Sequence, residues 1–393
     1  MRTALTAILF LTVISLHSQD LESIPINSAD DIEKLRAQLQ AKVFKNNVHR
    51  FSSVESFEKE KMPESLFWDR YPWEGSVKNI DKIVIRLKNG IKSNAFILHP
   101  NNSNRLNIPI IYHGGHGGAF WEDKYWNNDN SPHPISVFKF FLDRGFDVIT
   151  FDMPLIGENK TLYLLNRDTE TVFIKEHADL FELREPFYYF FGPVKQTIDL
   201  LENEYGYSNF AMIGLSGGGW ATTLYSAMDT RIVHSYAVAG SVPIPLRKKA
   251  NDWGDEEQNN SEFYNEFNYS VLYTLAAAGP GRLHFQILNK YDQCCYAMDG
   301  EQWKGNVVAA LNKVEDKGNY KFFFDTSANK HMISSVTLDT IYASLRNDFL
   351  SNSLPFQIKI TGASSTVLYK QSPNKNGKAA VSIIGAGSSA KKM

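Results

Sequence analysis

The segment that most narrows the folds open to this chain is Phe210-Ala211-Met212-Ile213-Gly214-Leu215-Ser216-Gly217-Gly218-Gly219-Trp220. An apolar run of strand length enters Gly-x-Ser-x-Gly, and the stretch from Trp220 to Met228 has helix-forming composition. These features predict a strand, a sharp turn and a helix, with Ser216 at the apex. Flanking glycines let strand and helix approach without Cβ clashes, and the serine Oγ then projects from the carboxyl edge of a sheet. In a chain with 25 glycines the bare pattern would arise readily by chance; the strand before it and the helix after it give it meaning.

Around this turn, compact apolar runs alternate with helical stretches. Strands are predicted over Phe146 to Phe151, Phe210 to Gly214, His234 to Ala239, His284 to Leu288 and Tyr320 to Phe324. Strands separated by helices pair in parallel through right-handed crossovers. Upstream, Lys82 to Leu87 and Ser93 to Leu98 flank Asn89-Gly90, a two-residue hairpin signal, and Ile108 to His113 follows as a further strand. The fold class expected is α/β: a mostly parallel, doubly wound sheet with an N-terminal antiparallel hairpin. The long intervals Leu155 to Phe191 and Lys248 to Ser270 read as cap or lid insertions.

The flanks divide the chain further. Residues 1–19 hold one basic residue, a short apolar run and a small residue before a polar stretch, which is the pattern of a secretory signal peptide cleaved after Ser18 or Gln19. That run is too short for a comfortable membrane span, so the mature protein is expected without one, in a secreted or periplasmic location. Within 20–80, Ile32, Leu35, Leu39 and Val43 after Ser28 predict an amphipathic helix, followed by an aromatic loop with Phe67, Trp68, Tyr71 and Trp73. The catalytic core is expected over 81–350. Residues 351–393 form a Lys-rich tail with two β-like runs, Phe356 to Ile360 and Ala379 to Ile384, open to reading as a hairpin, an attachment signal or a disordered end. The formal charge of -2 offers no basic field for a polyanion, so nucleic acid is not an expected partner. Cys294 and Cys295, the two cysteines of the chain, are adjacent and form either a strained ring or two thiols.

A second glycine cluster, His113-Gly114-Gly115-His116-Gly117-Gly118, ends the strand from Ile108. Backbone N–H groups there can face a pocket with no side chain in the way, as an oxyanion hole requires. A metal held by His113 and His116 is the competing reading; it lacks a third ligand at a defined spacing, so no metal is expected. With both motifs in view, the chain resembles the α/β-hydrolases: an HGG-type loop after one strand, a Gly-x-Ser-x-Gly elbow after a later one, then an acid and a histidine. The resemblance spans about Lys82 to Ile341 and implies a serine-esterase-like triad needing no cofactor. It points to Ser216 as nucleophile, Asp292 at the end of the strand from His284, and His331 beyond the strand from Tyr320. It also implies oxyanion donors at Gly217 and at Gly115 or His116, although His116 stands where HGGG-type esterases carry glycine.

Other residues compete for these roles. Asp325 also ends a strand and rivals Asp292, though it would more often brace its own loop; Asp152 reads as a loop-fixing carboxylate; His284 reads as a core residue. Trp121, Trp126 and Trp220 are candidate platforms for a sugar ring or an acyl group, or ordinary packing. The leading expectation is an exported serine hydrolase acting on a small-molecule or carbohydrate ester through an acyl-enzyme. The alternatives are a peptidase resembling the prolyl oligopeptidases, which would lack their upstream propeller, and a non-catalytic binding protein on the same fold.

Overall fold

A computed structural model describes residues 22–45, 52–60, 71–103, 105–106, 108–126, 136–167, 170–249, 254–297, 300–347, 359–362, 365–373 and 379–384. The leader expected at 1–19 and Phe67 and Trp68 of the aromatic loop lie outside them.

Among the described residues, nine strands build one sheet: β1 (Ser53–Glu58), β2 (Val77–Arg86), β3 (Lys92–Pro100), β4 (Ile110–His113), β5 (Val148–Phe151), β8 (Phe210–Leu215), β9 (Ile232–Val238), β10 (Leu283–Asn289) and β11 (Asn319–Asp325), where β6 (Tyr163–Arg167) and β7 (Glu170–Ile174) form a separate hairpin. The spatial order is β1-β2-β3-β5-β4-β8-β9-β10-β11. β1 to β3 and the β3·β5 pair are antiparallel, and every pair from β5 to β11 is parallel. Every residue of β4, β5, β8, β9 and β10 is buried, as a parallel sheet covered on both faces demands. Consequently the carboxyl ends of β4, β8, β9, β10 and β11 share one rim.

The expected strands recur with shifted ends, and the shifts have physical causes. β4 begins at Ile110 rather than Ile108 because Pro109 has no N–H to pair; its carbonyl still accepts from Ala211. β9 ends before Ala239, whose φ of 44° leaves the extended region. The β2–β3 turn is longer than the two residues read from Asn89-Gly90. Leu87 N donates to Ile91 O, which closes a loop of Lys88, Asn89 and Gly90, and φ is positive at both Asn89 and Gly90. β1 and the β6–β7 hairpin were not anticipated. The tail forms a three-stranded antiparallel sheet, β12 (Lys359–Gly362), β13 (Ser365–Pro373) and β14 (Ala379–Ile384), with the unforeseen β13 in the centre.

The helices that matter for the site are α1 (Ala29–Phe44), α2 (Val137–Leu142), α3 (Pro186–Tyr205), α4 (Gly217–Met228), α5 (Tyr269–Ala277), α6 (Lys304–Leu311) and α7 (Ser335–Leu345). α3 absorbs Phe187 to Phe191, so the aromatic end of the first insertion is buried core; the hairpin and a 3-10 turn at His177–Glu182 make up its outer part. The second insertion holds the short helices Glu256–Asn259 and Ser261–Tyr264.

Ser28 caps α1 as anticipated, accepting from Asp31 N. The helix buries Ile32, Leu39 and Val43, and with them Arg36. The Arg36 guanidinium donates to Ala227 O at 2.8 Å and Ala278 O at 3.3 Å, at the carboxyl ends of α4 and α5. A cation there satisfies carbonyls that have no helical partner and complements two helix dipoles at once. Arg36→Ala should therefore lower stability in urea denaturation by roughly 2–4 kcal/mol, given that charged hydrogen bonds contribute about 1.5–3 kcal/mol each; an unchanged midpoint would remove this role.

Candidate active site

Ser216 sits between β8 and α4 with φ 59° and ψ -125°, a conformation that L-residues rarely adopt. Two bonds hold it there: its N–H donates to Val238 O at 2.9 Å, and its carbonyl accepts from Trp220 N at 2.9 Å. Backbone closeness fixes the turn as well, because a Cβ on Gly218 would lie 1.9 Å from His113 O. The serine is 9% exposed and stands at the N-terminus of α4, where helical N–H groups favour developing negative charge.

Asp292 and His331 meet in space. Asp292 Oδ2 lies 2.6 Å from His331 Nδ1. The other carboxylate oxygen, Oδ1, accepts from Cys294 N at 2.8 Å and Cys295 N at 3.1 Å. Those neighbours form a disulfide, so the ring alternative for the pair is the one adopted, and its backbone orients the acid. The remaining rivals occupy other places. Asp325 accepts from Ser327, Ala328 and Thr337 and is bonded to the Ser334 hydroxyl; burial pushes its pKa up, but these bonds outweigh it and leave the pKa below the usual carboxylate range. It braces the loop that carries His331. His284 is fully buried against Ser235 Oγ at 2.8 Å, and burial lowers its pKa to about 3. His113 is equally buried, with its pKa lowered to about 4.

The glycine loop packs on the elbow. A Cβ on Gly115 would come within 3.1 Å of Gly217 N, and one on Gly217 within 3.0 Å of His116 Cε1. Of the two loop donors expected, Gly115 is already engaged: its N–H donates to both oxygens of Glu122, at 2.9 and 3.1 Å. Gly117 N also donates to Glu122, at 3.1 Å. The N–H groups of His116 and Gly217 therefore remain as the candidate oxyanion donors. Glu122 is fully buried, and burial raises its pKa to about 8. Beside it, burial raises Asp123 to about 7 and Asp152 to about 6. Asp123 accepts from Ser136 and Phe138, and Asp152 from Ala119 N at 2.6 Å and Glu158 N at 2.7 Å, the loop-fixing role anticipated for it. Glu122 was missed in the sequence, although Glu122-Asp123 inside the aromatic run Phe120 to Trp126 was a signal available there.

The aromatic candidates separate. Trp220 is not a platform: it is fully buried among Phe187, Phe190 and Phe191, with Nε1 donating to Tyr264 OH. Trp121 is 47% exposed and lies beside Tyr125, ring centroids 5.3 Å apart, in the turn after the glycine loop. The Trp126 side chain lies outside the described residues. The His116 ring lies against the elbow; its Nε2 faces Glu257 Oε1 at 3.2 Å and Asp255 Oδ2 at 3.1 Å, and its centroid is 5.0 Å from that of His177. His177, Asp255 and Glu257 were not singled out in the sequence.

No family model and no curated protein matches the sequence. Solved structures do match. Acetyl xylan esterase 1 from Thermoanaerobacterium sp. JW/SL YS485 superposes with a TM-score of 0.51 at 11% identity, covering 85% of this chain and 98% of that one. A methylesterase gives a TM-score of 0.51 at 12% identity over 80% of this chain and 63% of that one. This likeness, with the strand order and the elbow, establishes the α/β-hydrolase fold.

Glu122 gives the loop a pH signature. It stays protonated in the fold up to about pH 8 but ionises above about 4.5 once unfolded, so stability drains away as pH rises between those values. Glu122→Gln removes that component. The melting temperature of the variant should fall less than that of the wild type between about pH 5 and about pH 8; parallel profiles would contradict the assignment.

Proposed function

We propose that this protein is an exported serine hydrolase that cleaves carboxylic esters on carbohydrate. The observation that carries the reading is the 2.6 Å Asp292–His331 bond, on the sheet rim that also carries a serine on a strained elbow. Neutral His331 takes the Ser216 proton on Nε2 as Oγ attacks the acyl carbon. Asp292 holds Nδ1–H, fixes that tautomer and stabilises the imidazolium that forms. The oxyanion accepts from Gly217 N–H and His116 N–H. Collapse of the tetrahedral intermediate breaks the bond to the alkoxide, which leaves as the alcohol with the proton from His331. Water, deprotonated by the same imidazole, then attacks the acyl-enzyme; the acid departs and Ser216 regains its proton.

The carbohydrate part of the reading draws on the exposed Trp121–Tyr125 pair, whose rings offer a stacking face to a sugar, and on the esterase names of the structural neighbours. Export follows from the leader at 1–19. Among the described residues, no helix is long and apolar enough to cross a membrane.

Hydrolysis of acetylated xylo-oligosaccharides and of uronic-acid methyl esters, compared with peptide anilides, is the test. Ester turnover should dominate; Ser216→Ala should lower kcat by at least about 10⁴-fold, and Asp292→Asn by about 10⁴-fold through the wrong imidazole tautomer. Preference for anilides, or ester turnover surviving in Ser216→Ala, would reject the proposal.

A further inference from the structure

Beyond the triad, the geometry points to a divalent-cation site of transition-metal type, made by His116, His177 and Asp255 with Glu257 beside both imidazoles. One ligand atom from each of the first three lies within 4.8 Å of the others. His116 Nε2 stands 3.1 Å from Asp255 Oδ2 and 3.2 Å from Glu257 Oε1, and His177 Nε2 stands 3.6 Å from Glu257 Oε2. Zinc binds imidazole nitrogen and carboxylate oxygen at about 2.0–2.2 Å, so ligands of a tetrahedral ion stand about 3.3 Å apart. The His116–Asp255 and His116–Glu257 separations lie just below that value and the His177–Glu257 separation just above it. Two imidazoles and carboxylate oxygens also make a donor set that favours zinc over magnesium or calcium.

An independent observation points the same way. Glu257 is 0% exposed, and its Oε2 has no hydrogen-bond partner. Among the described residues no lysine or arginine pairs with it; its ion-pair contacts are the two histidines. A buried carboxylate oxygen left without a donor is costly unless a cation meets it. Asp255, whose side chain is 55% exposed, provides the entrance from solvent.

The ligands explain why the sequence concealed the site. His116 comes from the glycine loop, His177 from the first insertion and Asp255 from the second, so no short spacing links them. A bound ion would tie both insertions to the loop that donates the His116 N–H, while the backbone role of His116 stays separate from the ligation by its ring.

The mature protein, stripped with chelator and free of any affinity tag, should bind one Zn²⁺ per chain by calorimetry. Its melting temperature should rise by at least about 3 °C with excess Zn²⁺, reversibly with EDTA. Co²⁺ should give a tetrahedral visible spectrum. His177→Ala should weaken binding at least tenfold; Asp255→Asn, at an exposed position that leaves the core intact, should also weaken it, while Ser216→Ala should bind as the wild type does. Absence of saturable binding to the wild type would overturn the proposal, as would Zn²⁺ affinity and stabilisation unchanged in both His177→Ala and Asp255→Asn.

Discussion

Gly218 lies against the carbonyl of His113 more closely than any side chain would permit, and that contact joins the two halves of the candidate active site. His113 ends β4 and begins the glycine loop; Gly218 opens α4 just after the serine. β4 and β8 are parallel neighbours in register from Ile110↔Ala211 to His113↔Gly214, so the loop and the elbow emerge side by side. Parallel pairing continues through β9, β10 and β11 and delivers Asp292 and His331 to the same rim. Side chains far apart in sequence are thus gathered by the direction and register of the strands.

Such a rim carries costs, and the surrounding polar groups show how they are met. A glycine loop has no side chains to pack, so its N–H groups must be fixed by acceptors from elsewhere. Glu122 supplies one by bonding Gly115 and Gly117, and Asp152 another by bonding Ala119. These carboxyls are buried, and burial is the main cause that raises both of their pKa values. Holding Gly115 and Gly117 fixes the backbone on either side of His116. The same principle operates at the acid: Asp292 is aimed by amides of the adjoining disulfide loop, which leaves one oxygen for the imidazole.

Much of this was legible in the sequence because strong local signals coincided with the fold. The Gly-x-Ser-x-Gly turn lies between a buried strand and a buried helix, so local pattern and tertiary environment agree, and the order serine, acid, histidine follows from the parallel topology. What escaped notice depended on distant contacts. Gly115 could be separated from His116 as a donor only by seeing Glu122 beneath the loop. Trp220 follows the serine directly, yet the first turn of α4 rotates it into the Phe187–Phe191 cluster. β1 and β13 alternate only weakly in sequence, which left their pairing invisible until partners were placed. The histidine and carboxylate group around Glu257 draws on three separated segments, beyond the reach of any motif.

The most direct test of the central claim, that elbow and imidazole form one reactive unit, is to locate the adduct of a fluorophosphonate probe by peptide mass spectrometry. The account predicts a single stoichiometric adduct on Ser216, formed rapidly in the wild type and slowed by orders of magnitude in His331→Ala. A folded wild-type protein that stays unlabelled, or labelling of Ser216 at the same rate without His331, would contradict it.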